Sequence, residues 1–70
     1  MKVENIGKNI NKIREKRGIK QEILAKAVGI ETSNISQYEN GKTIPKLKTL
    51  IKIASYLDTT IDYLLSDTDD

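Results

Sequence analysis

The chain has no cysteine, histidine, tryptophan or phenylalanine, and one proline, Pro45, among its 70 residues. Each absence removes a class of chemistry. Without thiols there is neither a disulfide framework nor a thiolate metal site, and without imidazole the commonest metal ligand and general base are missing. Three tyrosines are the whole aromatic complement, so the core has to be aliphatic. Apolar runs reach only a few residues, far short of the about 20 needed to cross a bilayer, and nothing N-terminal resembles a secretory h-region. A cytoplasmic protein with no membrane association is expected. One small domain, burying about 60% of its unfolded surface, leaves little room for a catalytic cleft. Neither an enzyme nor a bound metal or cofactor is expected.

The formal charge of +2 is unevenly spread. All twelve Lys and Arg precede Asp58, against Glu4, Glu15, Glu22, Glu31 and Glu39, so residues 1–57 carry +7. Five aspartates give residues 58–70 a charge of −5. A basic body of this kind suits a polyanionic partner such as nucleic acid, although a lysine-rich solvated surface has the same composition. The chain divides into a domain over 1–66 and an acidic tail over 67–70. Asp67, Asp69 and Asp70 lack the glycine turn and distal glutamate of a calcium loop. They are read as solvated acids that limit non-specific DNA binding.

Periodicity predicts five short helices. Ile6, Ile10 and Ile13 recur at helical spacing over 5–17, with Asn5 as N-cap and Gly18 as the terminating residue. Ile23, Leu24, Ala27 and Val28 mark a second helix over 20–27, which Gly29 stops. A third over 32–39 carries an apolar seam of Ile35 and Tyr38 and a polar face of Thr32, Ser33, Asn34, Ser36 and Gln37. Ala25, one turn before Gly29, is small enough for the third helix to cross the second. Pro45 opens a fourth helix over 46–57, whose stripe is Leu47, Leu50, Ile51, Ala54 and Leu57. Thr60 caps a fifth over 61–65, with Ile61, Leu64 and Leu65 inward, and the tail from Ser66 is expected to fray. Lys20 and Glu31 stand where caps belong before the second and third helices, so those helices depend on packing. The fold class is all-α, with no strand-period run and no repeat.

At the span Gln21 to Glu39, with Asn40-Gly41-Lys42 and Pro45 after it, the chain resembles the helix-turn-helix domain of the Cro and phage-repressor type, the XRE-like family. The resemblance covers about residues 6–65. Gln21, Leu24-Ala25, Gly29, Ile35, Glu39-Asn40-Gly41-Lys42, Pro45, Leu50, Ile53-Ala54 and Leu57 carry it. It implies a compact five-helix repressor-type domain with the helix-turn-helix at helices 2 and 3, and the third helix in the major groove of an operator, usually as a dimer.

The role of each residue follows from its position and chemistry. The N-terminal residues of the recognition helix enter the groove first, which makes Thr32, Ser33 and Gln37 the candidates for base contact. Gln37 can pair bidentately with adenine N6 and N7; the hydroxyls discriminate less. Gln21, in the first turn of helix 2, is placed to grip a phosphate, as are Asn34, Asn40, Lys42 and Lys46, and Lys20 can do so from its cap position. The resemblance further implies an ion pair between Arg14 and Glu39. Tyr38, at mid-helix apolar spacing, is read as packing rather than base stacking.

The leading function is a sequence-specific double-stranded DNA-binding regulator, a repressor occupying an inverted-repeat operator as a homodimer at least on DNA. The alternative is a protein-binding helix-turn-helix module, an adaptor or antitoxin-like partner with minor DNA contact. That alternative draws on Tyr56, Ile61, Tyr63 and Leu65, which can leave an apolar edge around helix 5. A protein antagonist or effector domain would fit either.

Overall fold

The computed structural model describes residues 2–67, which form five helices: α1 Asn5–Lys16, α2 Gln21–Val28, α3 Thr32–Glu39, α4 Leu47–Tyr56 and α5 Ile61–Leu65. α2 packs on α3, α1 on α3 and α5, and α4 on α2 and α5. One aliphatic core results, with Ile10, Leu24, Ile35, Ile53, Leu57 and Leu64 at its centre. Ile6, Ile10 and Ile13 all face it, because positions i, i+4 and i+7 share one helical face.

Four of the five helices end in the same way. Backbone N–H groups of Ile19, Ile30, Lys42 and Thr59 reach back to the carbonyls of Arg14, Ala25, Gln37 and Ala54 at 2.9–3.0 Å. The residue before each closing donor is left-handed: Gly18, Gly29, Gly41 and, as the non-glycine case, Asp58 at φ 56°. This is the Schellman closure, in which a left-handed residue lets the chain turn while the last carbonyls stay satisfied. It keeps the connections short and sends α3 across α2. Ala25, 1% exposed, lies under that crossing as its small side chain requires.

Several sequence expectations need correction. Asn5 is not the N-cap of α1; Glu4 holds that position without a side-chain cap, and Asn5 lies in the helix, donating from Nδ2 to Asp67 Oδ1 at 2.6 Å. Ile23 and Ala27 are exposed, so α2 buries only Leu24, Ala25 and Val28. The stripe of α4 is narrower and rotated. Leu50, Ile53, Ala54 and Leu57 are buried, while Leu47 and Ile51 are 66% and 51% exposed. With α4 clamped between α2 and α5, one face suffices, and apolar residues on the flank have nothing to cover them. Around α5, Ile61 and Leu65 pack against the core beside buried Leu64, as expected of an inward face, and Tyr63 packs there too, so of the expected apolar edge only Tyr56 remains exposed.

Nor does the chain fray at Ser66. Asn9, fully buried on α1, donates from its side-chain amide to the carbonyls of Tyr63, Leu64 and Ser66 at 3.2, 2.9 and 2.9 Å. Ser66 Oγ donates to the Tyr63 carbonyl, and the Lys2 N–H donates to Leu65 O at 2.9 Å. A buried amide thus satisfies the open end of a five-residue helix, and the two ends of the domain are tied together. Asp67 is exposed and accepts from Asn5; Asp69 and Asp70 lie outside the described residues.

Candidate nucleic-acid interface

α3 buries only Ile35, with Tyr38 half-buried against the core. The opposite face is polar and open. Thr32, Ser33 and Gln37 are exposed, Asn34 and Ser36 half-buried, and Asn40 exposed just beyond the helix. Thr32, Ser33 and Gln37 therefore share one solvent-facing surface, while Asn34 sits lower on its flank. Asn40 Nδ2 makes a long contact of 3.4 Å to Ser36 Oγ. Lys20, Lys42 and Lys46 are exposed, at the start of α2, after α3 and at the start of α4.

The surface is held by a buried polar cluster. Glu39, the last residue of α3, accepts four hydrogen bonds: from Arg14 Nε at 2.7 Å, Arg14 Nη2 at 3.0 Å, Gln21 Nε2 at 2.9 Å and Asn11 Nδ2 at 3.0 Å. Arg14 turns Nη1 to the Ile19 carbonyl at 2.7 Å. One carboxylate thus joins α1, α2 and α3. Burial pushes its carboxyl up, but the hydrogen bonds from Arg14, Gln21 and Asn11, with the guanidinium charge, outweigh burial and hold it below the usual carboxylate range. The hydrogen bond to Glu39 raises Arg14 in turn, against the opposing effect of burial. Both groups are charged at neutral pH.

The cluster changes what Gln21 can offer. Its side-chain nitrogen already serves Glu39, so only the second N–H of that amide is left for an external acceptor. Position alone did not reveal this double duty. Asn11 is a member of the cluster that sequence reasoning missed, although it lies three residues before Arg14 on the same helical face. Gly7 was missed as well. A β-carbon there would fall 1.7 Å from the Tyr38 carbonyl oxygen, so a glycine is what allows α1 to approach α3 so closely.

The helix starts are alike in one respect. Lys20, Glu31 and Lys46 make no side-chain cap at α2, α3 and α4, whereas Thr60 accepts from the Tyr63 N–H at α5. Two helix starts therefore lie beside exposed lysines, and the third, at α3, beside Thr32 and Ser33 on the open face.

A helix-turn-helix family model matches residues 10–64. The chain belongs to this family. Among its relatives, the chain is 37% identical over 62 residues to the SPbeta prophage-derived uncharacterized HTH-type transcriptional regulator YonR of Bacillus subtilis, covering 89% of this chain and 57% of that protein. It is 35% identical over 65 residues to Repressor protein C2 of Salmonella phage P22, covering 93% of this chain and 30% of that one. The chain thus spans about half or less of the length of such relatives. The solution structure of the DNA-binding domain of the P22 C2 repressor superposes with a TM-score of 0.84 at 34% identity, covering 99% of this chain and 96% of that domain. The restriction-modification controller protein C.AhdI from Aeromonas hydrophila does so with 0.80 at 29% identity, over 89% and 92%. The XRE-like assignment and the five-helix fold both stand. The family consists of DNA-binding regulators, not enzymes. No described helix is long and apolar enough to cross a membrane.

Proposed function

We propose that this helix-turn-helix chain regulates transcription by binding double-stranded DNA in a sequence-specific way, as a repressor that occupies an inverted-repeat operator. The observation that carries this reading is the open face of α3, with Thr32, Ser33 and Gln37 exposed on a helix locked from behind through Glu39 to Arg14 and Gln21. A recognition helix must keep a fixed attitude in the major groove, because bidentate base contacts tolerate little angular error. Related chains described as transcriptional regulators and repressors support the same reading.

Labour divides by chemistry. Gln37 pairs with an adenine edge, and Thr32 and Ser33 add hydroxyl contacts, with the threonine methyl available to a thymine methyl. Lys42, Lys46 and Asn40 take phosphates on the strand beside the groove, and Asn34 takes one from the flank of α3. At the head of α2, Gln21 uses its second amide N–H together with the uncapped backbone N–H groups, assisted by Lys20. The protein acts in the cytoplasm, as a homodimer at least on DNA, with two recognition helices about 34 Å apart.

Selecting bound duplexes from a random pool tests the reading. An inverted repeat with half-site centres about 10–10.5 base pairs apart is expected. About five phosphate contacts per half-site should also give a log-log salt slope near −0.9 per contact. A pool that returns no motif, or affinity that ignores salt, contradicts the proposal.

A further inference from the structure

A cleft opens between the end of α1 and the turn from α4 into α5. It holds about 450 Å³, within the ~300–1,000 Å³ usual for small-molecule sites. Buried Ile13 and half-buried Thr59 and Tyr63 make the inner part of its lining, and exposed Lys16, Arg17 and Asp58 the outer part. The two cations have a local reason to be there, since they stand at the C-terminal end of α1, where positive charge is favoured. Asp58 has none. Among the described residues it is the only non-glycine with a left-handed backbone, at φ 56°. It also places a carboxylate just past the C-terminal end of α4, where the helix dipole disfavours negative charge.

Neither cost is offset within the chain. Among the described residues the Asp58 carboxylate makes no hydrogen bond or ion pair, and Arg17 Nη2 makes only a long contact of 3.5 Å with the Asp58 backbone carbonyl. Lys16 Nζ is unpaired as well. Two cations and an acid therefore border one cavity without neutralising one another. A strained backbone that holds an unpaired acid at a cavity mouth points to a role in binding and not in folding.

We infer that this cleft binds a mononucleotide whose base carries an exocyclic amino group. Lys16 and Arg17 take the phosphate, Arg17 through its planar fork. Tyr63, with Ile13 beside it in the lining, offers an apolar surface for the base. Asp58 accepts from the amino group, as a carboxylate accepts from cytosine N4, and Thr59 adds a hydroxyl for the sugar. A free amino acid matches the charges but leaves a cavity of this size largely open. The charged groups are exposed, so water screens them and the affinity lies in the high micromolar to millimolar range. Because the cleft shares no residue with α2, α3, Lys42 or Lys46, binding there is independent of how the α3 face is used.

Titrating the full chain, without DNA, with cytidine 5′-monophosphate and with uridine 5′-monophosphate tests this, because the two differ on the base edge that carries the amino group. Resonances of Ile13, Thr59 and Tyr63 are expected to move and those of Gln37 and Lys42 to stay still, with the cytidine nucleotide bound about tenfold more tightly. Movement centred on Gln37 and Lys42 would place the phosphate on the α3 face and overturn the site, as would no movement up to millimolar nucleotide. Asp58→Asn keeps a residue that tolerates the left-handed backbone, and its amide can pair with either base, so the preference should vanish. Arg17→Ala should weaken both nucleotides alike. Equal affinity of the wild type for the two nucleotides, a preference that survives Asp58→Asn, or free phenylalanine moving the same resonances at lower concentration than either nucleotide would contradict the proposal.

Discussion

Arg14 and Glu39, on α1 and at the end of α3, meet through a two-pronged ion pair, Nε to Oε2 at 2.7 Å and Nη2 to Oε1 at 3.0 Å, with side chains 9% and 5% exposed. Such a pair adds little net stability, because desolvating both charges offsets most of their attraction. Its value is directional. The fork geometry fixes the angle between α1 and α3, and Gln21 extends the same constraint to α2.

Breaking one half should therefore cost more than replacing both. Arg14→Met leaves a buried carboxylate without its counter-charge and is expected to destabilise by about 3–5 kcal/mol. The double variant Arg14→Met/Glu39→Leu should lose clearly less than Arg14→Met alone. Urea unfolding of Arg14→Met, Glu39→Leu and the double variant checks this; a double variant as unstable as the summed singles would show the two residues to be uncoupled.

The pH dependence has a definite sign. Glu39 has a native pKa held below its unfolded value of about 4.3, so its contribution is complete above that value and disappears as pH falls through the lowered native one. Arg14 stays charged throughout and adds no slope. Unfolding midpoints should be level from about pH 7 to 5 and fall below about pH 4, and Glu39→Gln should make that fall shallower.

Buried Asn9 makes a separate prediction on the opposite side of α1. Asn9→Leu fills similar space but removes the amide donor from the carbonyls of Leu64 and Ser66, and from that of Tyr63, which keeps Ser66 Oγ and the Ser66 N–H. A loss of about 2–3 kcal/mol is expected, with amide exchange accelerating first in α5. Uniform acceleration across the domain would mean that Asn9 serves the whole core and not this helix.

Asp58 offers a gain. It holds the left-handed closing position that glycine fills after α1, α2 and α3, and an L side chain there costs roughly 1 kcal/mol. Asp58→Gly should raise stability by a few tenths to about 1 kcal/mol, readable as a higher melting midpoint. A lower midpoint would mean that the Asp58 carboxylate makes a contribution larger than the strain.

Helix existence and order were legible because each helix carries at least one apolar repeat and a stop signal, as Ile6, Ile10 and Ile13 with Gly18 illustrate. The α4 face was not. Leu47 and Ile51 satisfy helical period as well as Leu50 and Ala54 do, and only the positions of α2 and α5 decide which pair is covered. Gly7 and Asn9 were illegible for a related reason. A glycine or an asparagine in a helix reads as a weak former until the neighbour it touches, 31 or about 55 residues away in the chain, is known. The open face of α3 could be read because Ile35 and Tyr38 are the only apolar side chains of an otherwise polar helix, which leaves the rest of it without a core to face. The partial engagement of Gln21 by Glu39 could not, since no local pattern says where a long amide points.

The central claim is that Gln37 reads sequence while Lys42 holds the backbone. Both side chains are exposed, so truncating either leaves the core intact. The direct measurement is affinity of the wild type, Gln37→Ala and Lys42→Ala for a selected duplex and for single-base variants of it. Gln37→Ala is expected to lose about 1–3 kcal/mol on the selected site and to flatten discrimination at one or two base pairs, while Lys42→Ala weakens all duplexes alike and lowers the salt slope by about 1. Equal losses on every duplex for both variants would contradict the account.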